Sequence, residues 1–221
     1  MAQSVEQARF NMVNQQIRPW EVIDSRVLSL METLPRDAFV PETYQDLAYA
    51  DIEIPLGDNC QMMFPRIEAR LMQALDLQPS DQVLEVGTGC GYLTACLAQL
   101  SQRVVSIEIN QDFSESAAQR LDQQRVSNVL LKQGDALASP LDEGPFDAIA
   151  VTGSVATSEQ AEIFRQQLNI GGRLFIVIGT PPVMQAMLIT RHQERIFSEE
   201  ALFETDLTAL TNADAPRRFE F

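Results

Sequence analysis

The sequence predicts an α/β fold: a doubly wound, mostly parallel sheet behind an N-terminal helical cap. Two observations carry the sheet. From Gln82 onward, short apolar runs of strand length alternate with stretches of helix length, the pattern of repeated parallel crossovers. The first of these strands runs straight into a loop with glycines at alternate positions, Gly87, Gly89 and Gly91, and then into a helix. A third observation carries the cap: residues 1–75 are punctuated by Pro19, Pro35, Pro41, Pro55 and Pro65 and show no such alternation. The expected organisation is a cap over residues 1–75 packed on a main domain over 76–221, together one compact unit. A length of 221 residues is ample for a buried core.

In the cap, an amphipathic stretch over residues 5–17 predicts a helix that stops before Arg18-Pro19. A second helix is expected from the Asp24-Ser25 cap through Val27, Leu28 and Met31 to Pro35. Residues 48–52 read as extended and Pro55 to Gly57 as a turn. A third helix follows Pro65, with Ile67, Leu71, Met72 and Leu75 on one face. In the main domain, apolar runs at 83–86, 104–107, 129–131, 148–151 and 174–178 suit buried parallel strands. Helices are expected between them at 93–100, 112–125 and 158–168. The tail differs, because residues 187–190 and 195–210 flank a polar turn at 192–194. That pattern predicts an antiparallel hairpin closing one edge of the sheet.

Composition removes several function classes. Acidic residues outnumber basic ones 31 to 16, a net charge of −15, and the one adjacent basic pair is Arg217-Arg218. A nucleic-acid partner needs a basic footprint on the phosphates, so none is expected. The longest apolar run, 174–178, is far short of the roughly 20 residues that span a bilayer, so no membrane partner is expected. The first residues lack a basic segment followed by an apolar one, which argues against a secretory signal and for a cytoplasmic protein. Cys60, Cys90 and Cys96 form no CxxC pair and the chain has one histidine, His192, so no metal site is expected.

The sharpest motif is Val83-Leu84-Glu85-Val86-Gly87-Thr88-Gly89-Cys90-Gly91-Tyr92. Glycines let the backbone turn tightly and let a ligand lie on it, while the following helix start offers free N–H groups. Dinucleotide sites use GxGxxG with an acid well downstream. Here the spacing is GxGxG, and Glu85 stands two residues before the first glycine. A carboxylate there repels a pyrophosphate but suits a ligand bearing an ammonium and a sulfonium, which points to S-adenosylmethionine. Glu108 ends the second strand, where a carboxylate accepts from both ribose hydroxyls, and Asp135 ends the third, where it meets the adenine amino group. Neighbouring Thr88, Ile109 and Ala136 complete the expected cofactor set.

Over roughly residues 10–195 the chain resembles the protein-L-isoaspartate O-methyltransferase family. The resemblance lies in Met12-Val13 with Gln16-Ile17, Leu34-Pro35-Arg36 with Phe39-Val40-Pro41, Ala48-Tyr49-Ala50-Asp51 and Pro55-Leu56-Gly57. It continues through Leu84 to Tyr92, Gly134-Asp135, Phe146-Asp147-Ala148-Ile149 with Val151-Thr152, Gln167-Leu168 and Gly171-Gly172. It implies a seven-stranded sheet with an altered order of the last strands and S-adenosylmethionine as cofactor. It also implies methyl transfer to an abnormal aspartyl carboxylate in damaged proteins. Glu85, the loop glycines, Glu108 and Asp135 are carried over as cofactor contacts. One departure stands out: the family's Thr-Ile-Ser-x-Pro loop reads Gln61-Met62-Met63-Phe64-Pro65, so Met63 occupies the position of the serine that touches the acceptor. Residues 153–156, Gly-Ser-Val-Ala, differ as well.

Methyl transfer is an in-line displacement in which catalysis is mostly positioning. A carboxylate with a pKa of about 4 is already ionised, so it needs no general base. The poverty in histidine therefore fits carboxyl methylation, and His192 reads as a surface residue of the hairpin. An alcohol or amine acceptor would want a base, and no candidate stands out. Met62, Met63 and Phe64 read first as core packing, Trp20 as a fastening of the cap, and Thr152 and Ser154 as either acceptor contacts or turn residues. Two acceptor readings remain, a protein or peptide carboxylate and a different, small-molecule acceptor. A third reading is a cofactor-binding protein without isoaspartyl activity. A thioether donates no hydrogen bond, so slow isoaspartyl methylation with intact cofactor binding is expected.

Overall fold

The computed structural model describes residues 4–213; the Arg217-Arg218 pair lies outside the described residues. α1 (Val5–Asn11) is capped by the Ser4 hydroxyl, which accepts from the Gln7 N–H. The chain then widens into a π-type turn over Met12–Ile17, which buries Met12, Val13 and Ile17, and ends at a short turn containing Pro19. α2 (Ser25–Thr33) begins where the Asp24 carboxylate accepts from the Arg26 N–H. It stops one residue before Leu34, which must be extended because Pro35 follows. α3 (Pro65–Leu75) starts on a proline, whose missing N–H costs nothing in a first turn, and buries Ile67, Leu71, Met72 and Leu75.

Two expectations for the cap change. Residues 48–52 are turns rather than extended chain, because Tyr49 is an anchor: its hydroxyl meets Arg9 and Asp37, and the Arg9 guanidinium lies over its ring. Pro55 to Gly57 is strand rather than turn. β1 (Ile54–Gly57) pairs antiparallel with β2 (Cys60–Met62), and the reversal falls on Asp58 and Asn59 at φ 50° and 57°. A two-residue hairpin loop of this kind needs both central residues left-handed, and Asp and Asn tolerate that.

The main sheet has seven strands: β3 (Gln82–Val86), β4 (Arg103–Glu108), β5 (Val129–Gln133), β6 (Phe146–Val155), β7 (Leu168–Thr180), β8 (Val183–Gln193) and β9 (Ile196–Glu204). Their order is β5-β4-β3-β6-β7-β8-β9; the pairs from β5 to β7 are parallel and the last two pairs antiparallel. α4 (Tyr92–Leu100) and α5 (Gln111–Gln123) cross over on one side of β3, and α6 (Glu162–Arg165) on the other. α6 is a single turn, shorter than the periodicity over 158–168 predicts, because Leu168 already pairs with Phe146 in the sheet. β5 is only half buried, as the edge strand it proves to be. The hairpin of β8 and β9 stands as expected, but β9 ends at Glu204 rather than running on to residue 210.

Alternation along β3 sends Val83 and Leu84 to opposite faces and thus into two cores. The core on one face mixes Val83, Val104 and Phe175 of the sheet with Met12, Met31, Phe39 and Leu71 of the cap. The described residues of the first 75 therefore share the sheet's core. On the other face Leu84, Val105, Ile149 and Leu174 pack with Phe164. Strand order reverses beside β3, since β4 and β5 build away on one side and β6 and β7 on the other. At such a switch point the carboxyl ends of neighbouring strands part and leave a crevice.

Candidate active site

That crevice holds a cleft of about 120 Å³ between the ends of β3, β4 and β6, at the carboxyl ends of the strands where open α/β sheets take their ligands. Gly87, Gly89, Glu108, Ile109, Asp135 and Ala136 all line it, as do Leu56, Phe113 and Thr152. Gly87, at φ 91°, can be nothing else: an added Cβ would sit 2.3 Å from the Thr152 hydroxyl. That hydroxyl donates to the Val86 and Gly87 carbonyls, so Thr152 fastens the loop. Gly91 lies outside the cleft as the cap of α4, where a Cβ would press on Ala117 at 3.2 Å.

The acids differ in their settings. Glu108 is 6% exposed, and backbone N–H groups fix both its oxygens: Gly89 donates to Oε2 and Asn110 to Oε1, each at 2.9 Å. The remaining lone pairs can accept from a ligand's hydroxyls. Asp135 accepts from the Leu137 N–H at 2.8 Å and the Asn212 side chain at 2.9 Å. Glu85 does not line the cleft. It lies fully buried behind the loop, with Oε2 accepting from Thr94 and Ser106 and Oε1 without a partner. Burial pushes its carboxyl up to about 8 against the pull of the Ser106 and Thr94 hydrogen bonds. Thr88 is buried there too, hydrogen-bonded to Ser106.

Glu85 and Thr88 face a smaller cavity that shares Leu56, Gln61, Gly87 and Gly89 with the cleft. Met63 and Glu68 form its other wall. Glu68 and Arg36 are a fully buried ion pair; Arg36 also donates to the Met63 carbonyl at 2.8 Å and lies over the Tyr92 ring. Burial lifts the Glu68 carboxyl to about 7, with the Arg36 charge opposing. Met63 is 5% exposed and lines this inner cavity.

A second, larger cleft adjoins the first and shares Gln61, Thr208 and Ala209 with it. Trp20, Glu53, Phe64, Arg66 and Asp206 contribute to its walls. Ser154 is there as well, buried, with its hydroxyl on the Leu207 carbonyl. Sequence reasoning misses the segment that separates the clefts. After β9, residues 207–211 run back to the end of β6, where Ser154 donates to Thr208 and accepts from Leu210 along the backbone. Gly153 makes room, since a Cβ there would meet the Leu210 side chain at 2.6 Å. The altered 153–156 region was the available signal. His192 bonds Ser198 across the β8–β9 hairpin and lines neither cleft.

The model of the protein-L-isoaspartate(D-aspartate) O-methyltransferase family matches residues 7–214. The chain belongs to that family. A protein-L-isoaspartate O-methyltransferase of Syntrophus aciditrophicus is 39% identical over 196 residues, 89% of each chain. One from Aliivibrio fischeri is 36% identical over 87% of this chain and 91% of its own. Among solved structures, a Plasmodium falciparum protein described as a putative member, in complex with S-adenosyl-L-homocysteine, shares the fold at a TM-score of 0.78 with 22% identity. That alignment covers 94% of this chain and 98% of the other. The chain is thus an S-adenosylmethionine-dependent methyltransferase of the seven-stranded, mostly parallel kind. Among the described residues, no helix is long and apolar enough to cross a membrane.

The cofactor fits the residues present. The buried Oε1 of Glu85 lacks any partner, and the Gly89 N–H that a pyrophosphate would need is already bound to Glu108.

Proposed function

We propose that the chain methylates the carboxylate of an abnormal aspartyl residue in a damaged protein. The observation that carries this reading is the pair of adjoining clefts at the strand ends, one furnished for the cofactor and one open to a larger acceptor. When bound, the cofactor supplies a methyl group on a sulfonium. In our assignment Glu108 holds the ribose hydroxyls and Asp135 the adenine amino group, with Ile109 and Ala136 packed against the ring. Gly87 and Gly89 let the ligand lie on the backbone, Gly91 starts the helix beneath it, and Thr88 holds the loop to Ser106. The free oxygen of Glu85 faces the ammonium across the inner cavity. Neither cleft is lined by a histidine, in keeping with an acceptor that is already an anion.

Free cysteines at 60, 90 and 96 support a cytoplasmic setting. The charge of −15 supports a protein, peptide or small-molecule acceptor over a nucleic acid. The test is methyl ester formation on an isoaspartyl peptide beside its ordinary aspartyl counterpart. Ester on the isoaspartyl peptide alone supports the reading; none on either, with S-adenosylhomocysteine still bound, removes it. One observation favours a second reading, a different acceptor: Met63 replaces the serine, and Arg36 ties its carbonyl to the inner cavity. Ester formation on a fraction of a crude metabolite extract, with none on the peptide, would select it.

A further inference from the structure

The larger cleft carries charges that bear on which carboxylate it takes. Arg66 is the one cation among its lining residues. Its guanidinium is held between two rings, 4.7 Å from the Trp20 centroid and 4.0 Å from that of Phe64, and Nη1 is paired with Asp51. Trp20 is itself braced edge-on by Phe203 of β9. An arginine immobilised in this way keeps its guanidinium in one place, with Nη1 taken by Asp51 and Nε without a partner. It stands at the start of α3, three residues beyond Met63, and lines the same cleft as Gln61, a residue that the two clefts share.

The other charged residues of this cleft are acidic. Glu53, Glu204 and Asp206 line the same cleft, and none of them has an ion-pair partner among the described residues. Glu53 is half-buried with one oxygen unpartnered, and burial, with the Asp206 charge adding to it, holds its carboxyl above the ordinary value. A lone anionic acceptor entering this cleft would meet one cation, already paired with Asp51, and three carboxylates. An acceptor that brings its own positive charges meets complementary groups on both sides.

We propose that Arg66 binds the acceptor carboxylate in place of the missing serine, and that the acidic rim selects aspartyl sites flanked by basic residues. This rests on the carboxyl-methyltransferase reading and narrows it to one class of peptide. Arg66 is then a specificity-determining residue, and the rim acts through long-range attraction and through rejection of acidic flanks.

The experiment compares two isoaspartyl peptides, one with lysines on both sides of the isoaspartyl residue and one with glutamates. Calorimetry on the protein loaded with S-adenosylhomocysteine gives their affinities, and ester formation is followed in parallel with S-adenosylmethionine. The lysine peptide should bind about tenfold tighter or more, the scale of one hydrogen-bonded charge. Arg66→Gln should weaken both peptides by about tenfold and leave S-adenosylhomocysteine binding unchanged, while Arg66→Lys keeps part of the affinity. The double variant Glu204→Gln/Asp206→Asn should narrow the preference between peptides. Equal affinity for the two peptides, or an Arg66→Gln protein that binds them as tightly as wild type, overturns the inference. If Arg66→Gln does not fold, Arg66→Lys tests the arginine in its place: affinity equal to wild type for both peptides overturns its role. Selective binding without ester formation would remove the isoaspartyl reading and leave the charge preference standing; ester formation without selectivity would do the reverse.

Discussion

Glu85 offers a direct test of how the inner cavity is built, by Glu85→Gln. The native carboxyl is fully buried and accepts two hydrogen bonds on one oxygen, with none on the other. Its pKa rises from 4.5 to about 8 because burial disfavours the charge. In the unfolded chain the group ionises near its ordinary value, so between those limits the folded state holds one proton more. Stability is therefore fully present below about pH 4.5 and falls by about 1.4 kcal/mol per pH unit until the folded carboxyl ionises near pH 8. Urea unfolding of the ligand-free protein at several values between about pH 5.5 and 7.5 should show wild-type stability falling steadily. Glu85→Gln, which cannot ionise, should lose close to one proton's worth of that slope. Parallel stability curves for the two proteins would mean that Glu85 is ionised when folded, and the account of the cavity would be wrong.

Three further outcomes follow from the same geometry. Glu108→Ala should weaken S-adenosylhomocysteine binding by about 1.5–3 kcal/mol by calorimetry, the scale for losing hydrogen bonds to a charged group, and an unchanged affinity would remove Glu108 from the site. Added NAD should leave the melting temperature where it is while S-adenosylmethionine raises it, because the loop's Gly89 N–H is already bound; a shift with NAD alone would overturn the assignment of the loop. Met63→Ser should lower the melting temperature, since it removes a buried side chain, and should raise ester formation on an isoaspartyl peptide by less than about tenfold. Restoration to the rate of an ordinary family member would show the serine position to be sufficient.

Much of the fold is legible because its central strands are buried on both faces. Val83 to Val86 and Leu174 to Val177 are apolar throughout or nearly so, and such runs bounded by glycine-rich turns admit few other readings. Legibility fails where a single side chain or a neighbouring strand decides. Nothing local marks residues 48–52 as turns; that follows from Tyr49 meeting Arg9 and Asp37, both remote in sequence. Asp58-Asn59 is a weaker hairpin signal than a glycine pair, and Pro55 beside it draws the turn three residues early. The stretch 158–168 has helix length, yet its end is claimed by the β6–β7 ladder at Leu168.

The site shows the same division, and it explains why cofactor and acceptor are not equally readable. Gly87, Gly89, Glu108, Ile109, Asp135 and Ala136 are brought together by topology alone, because strand ends at a switch point converge whatever the loops do. The acceptor side has no such guarantee. It is assembled from α3, the Gln61 to Phe64 loop, β9 and the returning segment at 207–211, four parts that meet through tertiary packing. Even a correct alignment of Met63 to a family serine leaves open which space that position faces. Here Arg36 holds the Met63 carbonyl and Glu68 pairs with Arg36, so Met63 lines the inner cavity and the larger cleft's wall passes to Gln61, Phe64 and Arg66. Breaking a buried pair by removing one partner leaves an uncompensated charge, so substitution of one residue destabilises this loop rather than resetting it. Changing the acceptor chemistry of such a site would require the loop and its buried ion pair to change together.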